Sequence, residues 1–151
     1  METRTFTYKY PHPAVTTDCV VFGVDGDQLN ILLIERGDEP YKGCWAFPGG
    51  FMNIDETAEQ GAMRELYEET GLVIKNLKQI GAYTAVNRDP RERVITIAFY
   101  TTTKKSDVKG SDDAAQAQWF PIDQVPPLAF DHDQILRDAL TLFEHSSHGT
   151  H

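Results

Sequence analysis

The segment Gly50–Leu72, GFMNIDETAEQGAMRELYEETGL, decides the reading of this chain. Thr57 followed three positions on by Gln60 is a capping box, and Gly71 supplies a C-terminal stop, so the spacing predicts a helix over Thr57 to Thr70. Glu65, Glu68 and Glu69 fall at i, i+3 and i+4 of that helix. At about 100° per residue Glu68 lies about 60° to one side of Glu65 and Glu69 about 40° to the other, so the three carboxylates share one face. Like charges so placed repel, and a bound cation relieves the repulsion. Oxygen ligands alone suit a hard ion such as Mg²⁺ or Mn²⁺. Arg64 precedes Glu68 by four positions and is placed to hold its carboxylate. Gly61 falls within the same arc, at a cost of about 1 kcal/mol relative to Ala, which suggests that room for a substrate or a metal-bound water is needed there. Ala62, Met63, Leu66 and Thr70 form the neighbouring stripe expected to face a sheet. For Glu68 and Glu69 taken alone, a solvated acidic face is the simpler reading; the spacing of the whole segment argues otherwise.

Upstream, Ala14 to Gly23 reads as a strand, Val24 to Asp27 as a turn and Leu29 to Glu35 as a second strand, together a hairpin. A polar loop from Arg36 leads to the short apolar run Trp45 to Phe47, and Pro48-Gly49-Gly50 reads as a breaker. Downstream, Leu77 to Val86, Val94 to Thr103 and Ala117 to Ile122 read as strands, with Trp119 in a core. Asp131 is expected to cap a last helix ending near Phe143, with Ile135, Leu136, Ala139 and Leu140 inward. His132 beside that cap is read as structural. His145, His148 and His151 fall in a tail expected to be loose. One domain over residues 14–143, with an arm over 1–13 and a flexible tail over 144–151, accounts for all of this. Strands around two helices indicate an α/β architecture with a mixed sheet.

Composition narrows the function. The chain has 151 residues, 40% hydrophobic and 25% charged, which fits one globular domain with a core sufficient to dispense with disulfides. Its two cysteines, Cys19 and Cys44, read as reduced thiols of a cytoplasmic protein. Met1 to Tyr10 has no apolar signal core, and no apolar stretch is long enough to span a membrane. With 14 Lys plus Arg against 23 Asp plus Glu, the net charge of −9 argues against a nucleic-acid polymer as partner. A small phosphorylated ligand approached through a divalent cation remains compatible.

Gly50-x5-Glu56-x7-Arg64-Glu65-Leu66-x-Glu68-Glu69-x-Gly71-Leu72 resembles the Nudix box without a departure. Leu32-Leu33-Ile34-Glu35-Arg36 and Trp45-Ala46-Phe47-Pro48-Gly49-Gly50 resemble its usual flanks. The resemblance implies an α/β/α sandwich and metal-dependent hydrolysis of a nucleoside diphosphate linked to another moiety. It implies Glu65, Glu68 and Glu69 as metal carboxylates, with the Gly49 carbonyl as a further ligand. It also implies Arg64 as the residue orienting a glutamate, Glu56 as a helper bridging to Arg64, and Gly49 and Gly50 as the place where backbone meets phosphate. A general base comes either from the helix or from an acidic loop, where Asp112 and Asp113 are the candidates and Asp113 the chosen one. Homodimers are common among relatives, so a homodimer is an expectation by resemblance.

Asn87 to Arg93, NRDPRER, followed by VITIAFY, resembles Nudix domains of ADP-ribose and NAD metabolism, including those of transcription regulators that carry an added winged helix not expected here. Arg88 and Arg91 in this loop, with Arg36 and Phe51, are the candidate substrate contacts; the competing reading is a loop pinned by Arg–Asp pairs. The proline that many ADP-ribose hydrolases carry after the box is missing from its place, where Arg88 stands with Pro90 nearby. ADP-ribose or a similar nucleotide sugar is thus the expected substrate. A (d)NTP pyrophosphohydrolase and a non-catalytic ADP-ribose-type sensor are the alternatives.

Overall fold

The computed structural model describes residues 5–108 and 116–148. The long strand β1 (Ala14–Asp25) turns through Gly26 and Asp27 into β2 (Gln28–Glu35), with Asp25 opposite Gln28 and Gly26 at φ 61°. A two-residue turn of that kind matches the twist of the flanking strands, and Gly26 takes its left-handed position without Cβ strain. Next come β3 (Trp45–Ala46), β4 (Gly49–Phe51), helix α1 (Ala58–Thr70), β5 (Lys78–Tyr83), β6 (Val94–Lys104), β7 (Gln116–Pro121) and helix α2 (His132–His148). The path through the mixed sheet is β3-β2-β1-β6-β5, with β4 added on β1 and β7 on β2. Among the paired strands of the described residues, only β1 and β6 run parallel, in register from Ala14 opposite Val94 to Val24 opposite Lys104.

Alternation along the central strands builds the layers. Val20, Phe22, Ile31 and Leu33 point to one face and pack with Ile135, Leu136 and Ala139 of α2. Cys19, Val21 and Leu32 point to the other and pack with Leu66 of α1. A strand covered on both faces reads as an unbroken apolar run, as Cys19 to Phe22 and Ile31 to Ile34 do. The result is the expected α/β/α sandwich. Trp119 is half-buried at the edge of the α1-side cluster, where Gly23 makes room for it. A Cβ on Gly23 would come within 2.5 Å of the indole, whose Nε1 donates to the Ser106 carbonyl at 2.6 Å.

One edge of β1 is shared. Its first half carries β4, with Thr16, Thr17 and Asp18 opposite Phe51, Gly50 and Gly49; its second half carries β2. Between them the Cys19 N–H donates to the Pro48 carbonyl at 2.9 Å. Gly49 and Gly50, expected to break structure, thus extend the sheet. Gly49 can lie there because a Cβ would land on the Thr17 carbonyl and on Asp18. α2 likewise departs from expectation by continuing to His148, with His145 on an exposed turn. No helix among the described residues is long and apolar enough to cross a membrane.

Leu66 is fully buried and couples α1 to the sheet. Leu66→Ala should cost about 2–5 kcal/mol in urea unfolding. A loss below about 1 kcal/mol would mean that α1 is held by something other than this contact.

Candidate active site

α1 forms as its sequence dictates. Thr57 Oγ1 accepts from the Gln60 N–H at 3.1 Å and Gln60 Oε1 accepts from the Thr57 N–H at 2.9 Å, a complete capping box. Gly71 closes the helix at φ 79°, its N–H donating to the Tyr67 carbonyl. The buried stripe is Gly61, Ala62, Leu66 and Thr70. This orients Arg64, Glu65, Glu68 and Glu69 toward β4.

Arg64 ties the site together. Its Nη2 donates to Glu56 Oε1 at 2.7 Å and its Nε to Glu56 Oε2 at 3.0 Å, a bidentate pair. Nη1 donates to Glu65 Oε1 at 2.8 Å and lies 3.3 Å from Glu68 Oε2, and Nη2 also reaches the Phe51 carbonyl at 3.2 Å. Glu56 further accepts from the Asn53 N–H at 2.7 Å. The bond from Arg64 holds the Glu56 carboxyl below its usual range despite some burial, and these same partners raise the Arg64 pKa. The expected hold of Arg64 on Glu68 is present, but it is the longest of its carboxylate contacts.

Glu69 faces a different partner. Its Oε1 accepts from the Gly49 N–H at 2.8 Å. Burial is the main cause that pushes its pKa up to about 8; the amide bond opposes this, while the charges of Glu65, Asp18 and Glu68 add to it. Glu65 is also shifted up, again chiefly by burial. Gly50 allows that burial, since a Cβ there would sit 2.8 Å from the Glu65 carboxyl carbon. Gly61 proves to make room for protein, not for substrate: a Cβ would meet Glu56 Oε1 at 2.9 Å and Met52 Cγ at 3.3 Å. Gly49 and Gly50 similarly admit β1 and Glu65.

Glu65, Glu68 and Glu69 lie on one helical face as expected, yet they do not close on one point. Among the described residues no three His, Cys, Asp or Glu side chains are grouped to enclose an ion. The reason is that Arg64 draws Glu65 and Glu68 one way, while the Gly49 amide draws Glu69 the other. The donor chemistry still fits a hard divalent ion: three carboxylates on a rigid helix, two of them raised in pKa by burial, and Glu69 with no cationic side chain paired to it among the described residues.

Beside this face lies a cavity of about 130 Å³ in the fork between β2 and β4, lined by Asp18, Arg36, Gly49, Gly50, Phe51 and Glu69, and also by Arg88, Arg91, Phe130 and His132. Arg36, Phe51 and Arg91 therefore meet there as expected. The Arg36 guanidinium stands 4.9 Å from the Phe130 ring centre, and that of Arg91 stands 5.4 Å from Phe51 and 5.6 Å from Phe130. Arg36 donates its Nε to the Pro40 carbonyl at 2.8 Å and has no salt bridge among the described residues. Burial, then the charge of Arg91, lowers its pKa, with Asp89, Asp38 and Asp18 opposing. Phe51 is 44% exposed, so its ring is open to solvent and not packed in the core.

Arg88 and Arg91 are already occupied. Arg88 is buried and grips Asp131 through Nε at 2.9 Å and Nη2 at 2.7 Å; Arg91 grips Asp89 at 3.0 and 2.7 Å. The reading of a loop pinned by Arg–Asp pairs describes this geometry. It also corrects the role given to the Asp131 side chain, which serves Arg88 and does not cap α2; its backbone carbonyl accepts from Gln134 and Ile135. Asp112 and Asp113 lie outside the described residues.

Sequence reasoning missed Asp18, Phe130 and the placement of His132. Asp18 is buried in β1 and accepts from Thr96 Oγ1 at 2.7 Å, with His132 Nε2 at 3.5 Å. Burial pushes its pKa up, but His132, Thr96 and Arg88 outweigh this and leave it lowered. His132 Nδ1 accepts from the Phe47 N–H at 3.2 Å, which leaves the ring N–H on Nε2, toward Asp18. A charged residue within the apolar run of β1 was the available signal. Phe130, at φ 53°, carries backbone strain with no marker in its neighbours.

Two outcomes follow from these contacts. Without divalent ions, Glu69 keeps its proton in the fold up to about pH 8, whereas the unfolded chain releases it near 4.5. A raised carboxyl pKa stabilises the fold at low pH, and that contribution is lost as pH rises from about 4.5 through 8. Glu69→Gln should therefore match the wild type in urea unfolding at pH 4 and exceed it by roughly 1–3 kcal/mol at pH 9, Glu69 being only half-buried; equal stability at both would contradict the shift. Arg88→Ala should cost about 1–3 kcal/mol, because Asp131 keeps some solvent access. Adding Asp131→Asn should recover part of it, whereas strictly additive losses would show that the pair is not coupled.

Residues 12–140 match the NUDIX domain. Over 129 residues the chain is 43% identical to the ADP-ribose pyrophosphatase of Methanocaldococcus jannaschii, covering 85% of this chain and 74% of that protein. It is 35% identical over 135 residues to the ADPR responsive transcriptional repressor NtrR of Acinetobacter baylyi, covering 86% of this chain and 54% of the repressor, so it spans about half that relative's length. The solved NUDIX domain of Shewanella oneidensis NrtR, in complex with ADP ribose, superimposes with a TM-score of 0.83 at 29% identity, covering 89% of this chain and 90% of the domain. The match with the NUDIX domain takes in β1 through about the first half of α2, and with it the whole Arg64–glutamate constellation: the chain belongs to the Nudix family.

Proposed function

We propose that this protein is a divalent-metal-dependent Nudix pyrophosphohydrolase that cleaves ADP-ribose or a similar nucleotide sugar. The observation that carries this reading is the acidic face of α1, where one arginine holds Glu65 and Glu68 together with Glu56 before the helix, and half-buried Glu69 accepts from the Gly49 N–H. Arg64 offsets part of this charge, and a bound divalent cation would offset the rest and favour the ionised form of Glu69. The likeness to the Methanocaldococcus pyrophosphatase supports the substrate class.

Glu65, Glu68 and Glu69 would hold Mg²⁺ or Mn²⁺, with the Gly49 backbone beside them. A divalent ion supplies neutralisation of phosphoanhydride charge and makes water more acidic. The protein's own residues do the positioning. Arg64 keeps Glu56 ionised and holds Glu65 in place, so the face is oriented before substrate arrives. Across the cavity, Arg36 offers a half-buried guanidinium with no carboxylate salt bridge among the described residues, suited to phosphate oxygens. Arg91, already paired with Asp89, contributes through its stacked position on Phe51 and Phe130. Asp113 remains the proposed base on sequence grounds alone.

The test is AMP release from ADP-ribose in Mg²⁺, beside pyrophosphate release from each NTP. ADP-ribose should be cut, EDTA should abolish the reaction, and Glu68→Gln should lower kcat by at least about 100-fold with an unchanged fold, because Glu68 is 54% exposed and its loss leaves no cavity. Turnover in excess EDTA, or a Glu68→Gln variant with wild-type kcat, would contradict the metal role. Preferential cleavage of NTPs would favour nucleotide-pool cleaning. Tight binding of ADP-ribose without cleavage would favour a sensor, a reading that draws on the likeness to the NrtR domain.

A further inference from the structure

The cavity at the acidic face, about 130 Å³, is too small to enclose a nucleoside diphosphate with both of its end groups, which need a site of roughly 300–1,000 Å³. Part of the substrate must leave it. Phe51 lines this cavity and also a second recess of about 820 Å³, formed where the N-terminal arm passes the segment between β4 and α1. The recess is walled by Phe6, Tyr8, His12, Phe51, Met52 and Asn53. Tyr8 and His12 stack with ring centres 4.0 Å apart, and the Tyr8 and Phe6 rings lie within 18° of parallel. Tyr8 remains 50% exposed.

This recess is mechanically part of the active site. The Phe51 carbonyl accepts from Arg64, the Met52 N–H donates to the Val15 carbonyl at 2.9 Å, and the Asn53 N–H donates to Glu56. The group that organises the carboxylates thus also fixes the recess wall. We propose that the arm and the Phe51–Asn53 segment form a subsite for the nucleobase of the substrate, with Tyr8 as a stacking surface and Phe51 as the partition between base and phosphates. Flat aromatic walls recognise any base through its π-face, and Asp55 and Glu92, which also line the recess, carry acceptors suited to an exocyclic amine. The inference rests on the hydrolase reading above, in which the phosphoanhydride lies at the α1 face.

The experiment compares the two halves of ADP-ribose as separate probes. AMP and ribose 5-phosphate are titrated calorimetrically into the wild-type chain, Tyr8→Ala and Tyr8→Phe, in Mg²⁺. Wild type should bind AMP more tightly than ribose 5-phosphate. Tyr8→Ala should weaken AMP roughly tenfold and leave ribose 5-phosphate unchanged, and Tyr8→Phe, which keeps the ring, should restore AMP binding. With ADP-ribose, Tyr8→Ala should raise KM by a similar factor and leave kcat within about twofold. Unchanged AMP binding in Tyr8→Ala, an equal loss for both probes, or a loss in Tyr8→Phe as large as in Tyr8→Ala would each overturn the subsite. The two readings fail separately. A chain that binds AMP through Tyr8 yet leaves ADP-ribose intact loses the hydrolase reading and keeps the subsite. A chain that cuts ADP-ribose with the same KM in Tyr8→Ala loses the subsite and keeps the hydrolase reading.

Discussion

The fork of Arg64 is the interaction on which the site depends. One guanidinium binds Glu56 through two nitrogens, reaches Glu65 and Glu68 on its own helix, and touches the Phe51 carbonyl on β4. A lysine carries the same charge but has no planar fork with which to serve an ordered set of acceptors. Two glycines of the box follow from this crowding. Gly61 clears space for Glu56, and Gly50 clears space for Glu65. The helix can therefore present an acidic face at rest because the charge that offsets much of it is built into the same turn.

The sheet supplies the other half. β1 is long enough to carry β2 on one part of its edge and β4 on the other, and the gap between them is where Asp18, Glu69 and Arg36 come together. Packing α1 and α2 on opposite faces makes that fork rigid, since Cys19 and Val21 anchor one helix while Val20 and Phe22 anchor the other. His132, at the start of α2, reaches through to Asp18 and Phe47, so the α2 layer also shapes the cavity.

Much of this was legible in the sequence, and the reason is local physics. The capping box, the helix stop, the hairpin and the two apolar runs depend on neighbouring residues, and all appear where the spacing puts them. The glutamate face follows from helical period alone. What escaped depends on contacts distant in sequence. Nothing in NRDPRER says that Arg88 grips Asp131 beside the start of α2, or that the same bond takes the Asp131 side chain away from capping α2. Gly49 and Gly50 read as a break because breakers are judged from composition, whereas their place is set by the backbone of Thr17 and Asp18. Phe51 and Phe130 are linked through Arg91, whose guanidinium lies near both rings.

The central claim, that the Arg64 fork orients the acidic face for phosphoanhydride hydrolysis, is tested most directly by Arg64→Lys assayed on ADP-ribose in Mg²⁺ alongside its thermal unfolding. The account predicts that kcat falls roughly 10- to 100-fold, the worth of a charged hydrogen bond lost from the reacting arrangement, in a protein that still unfolds cooperatively. A lysine variant that hydrolyses ADP-ribose at the wild-type rate would show that charge alone suffices at this position, and would contradict it.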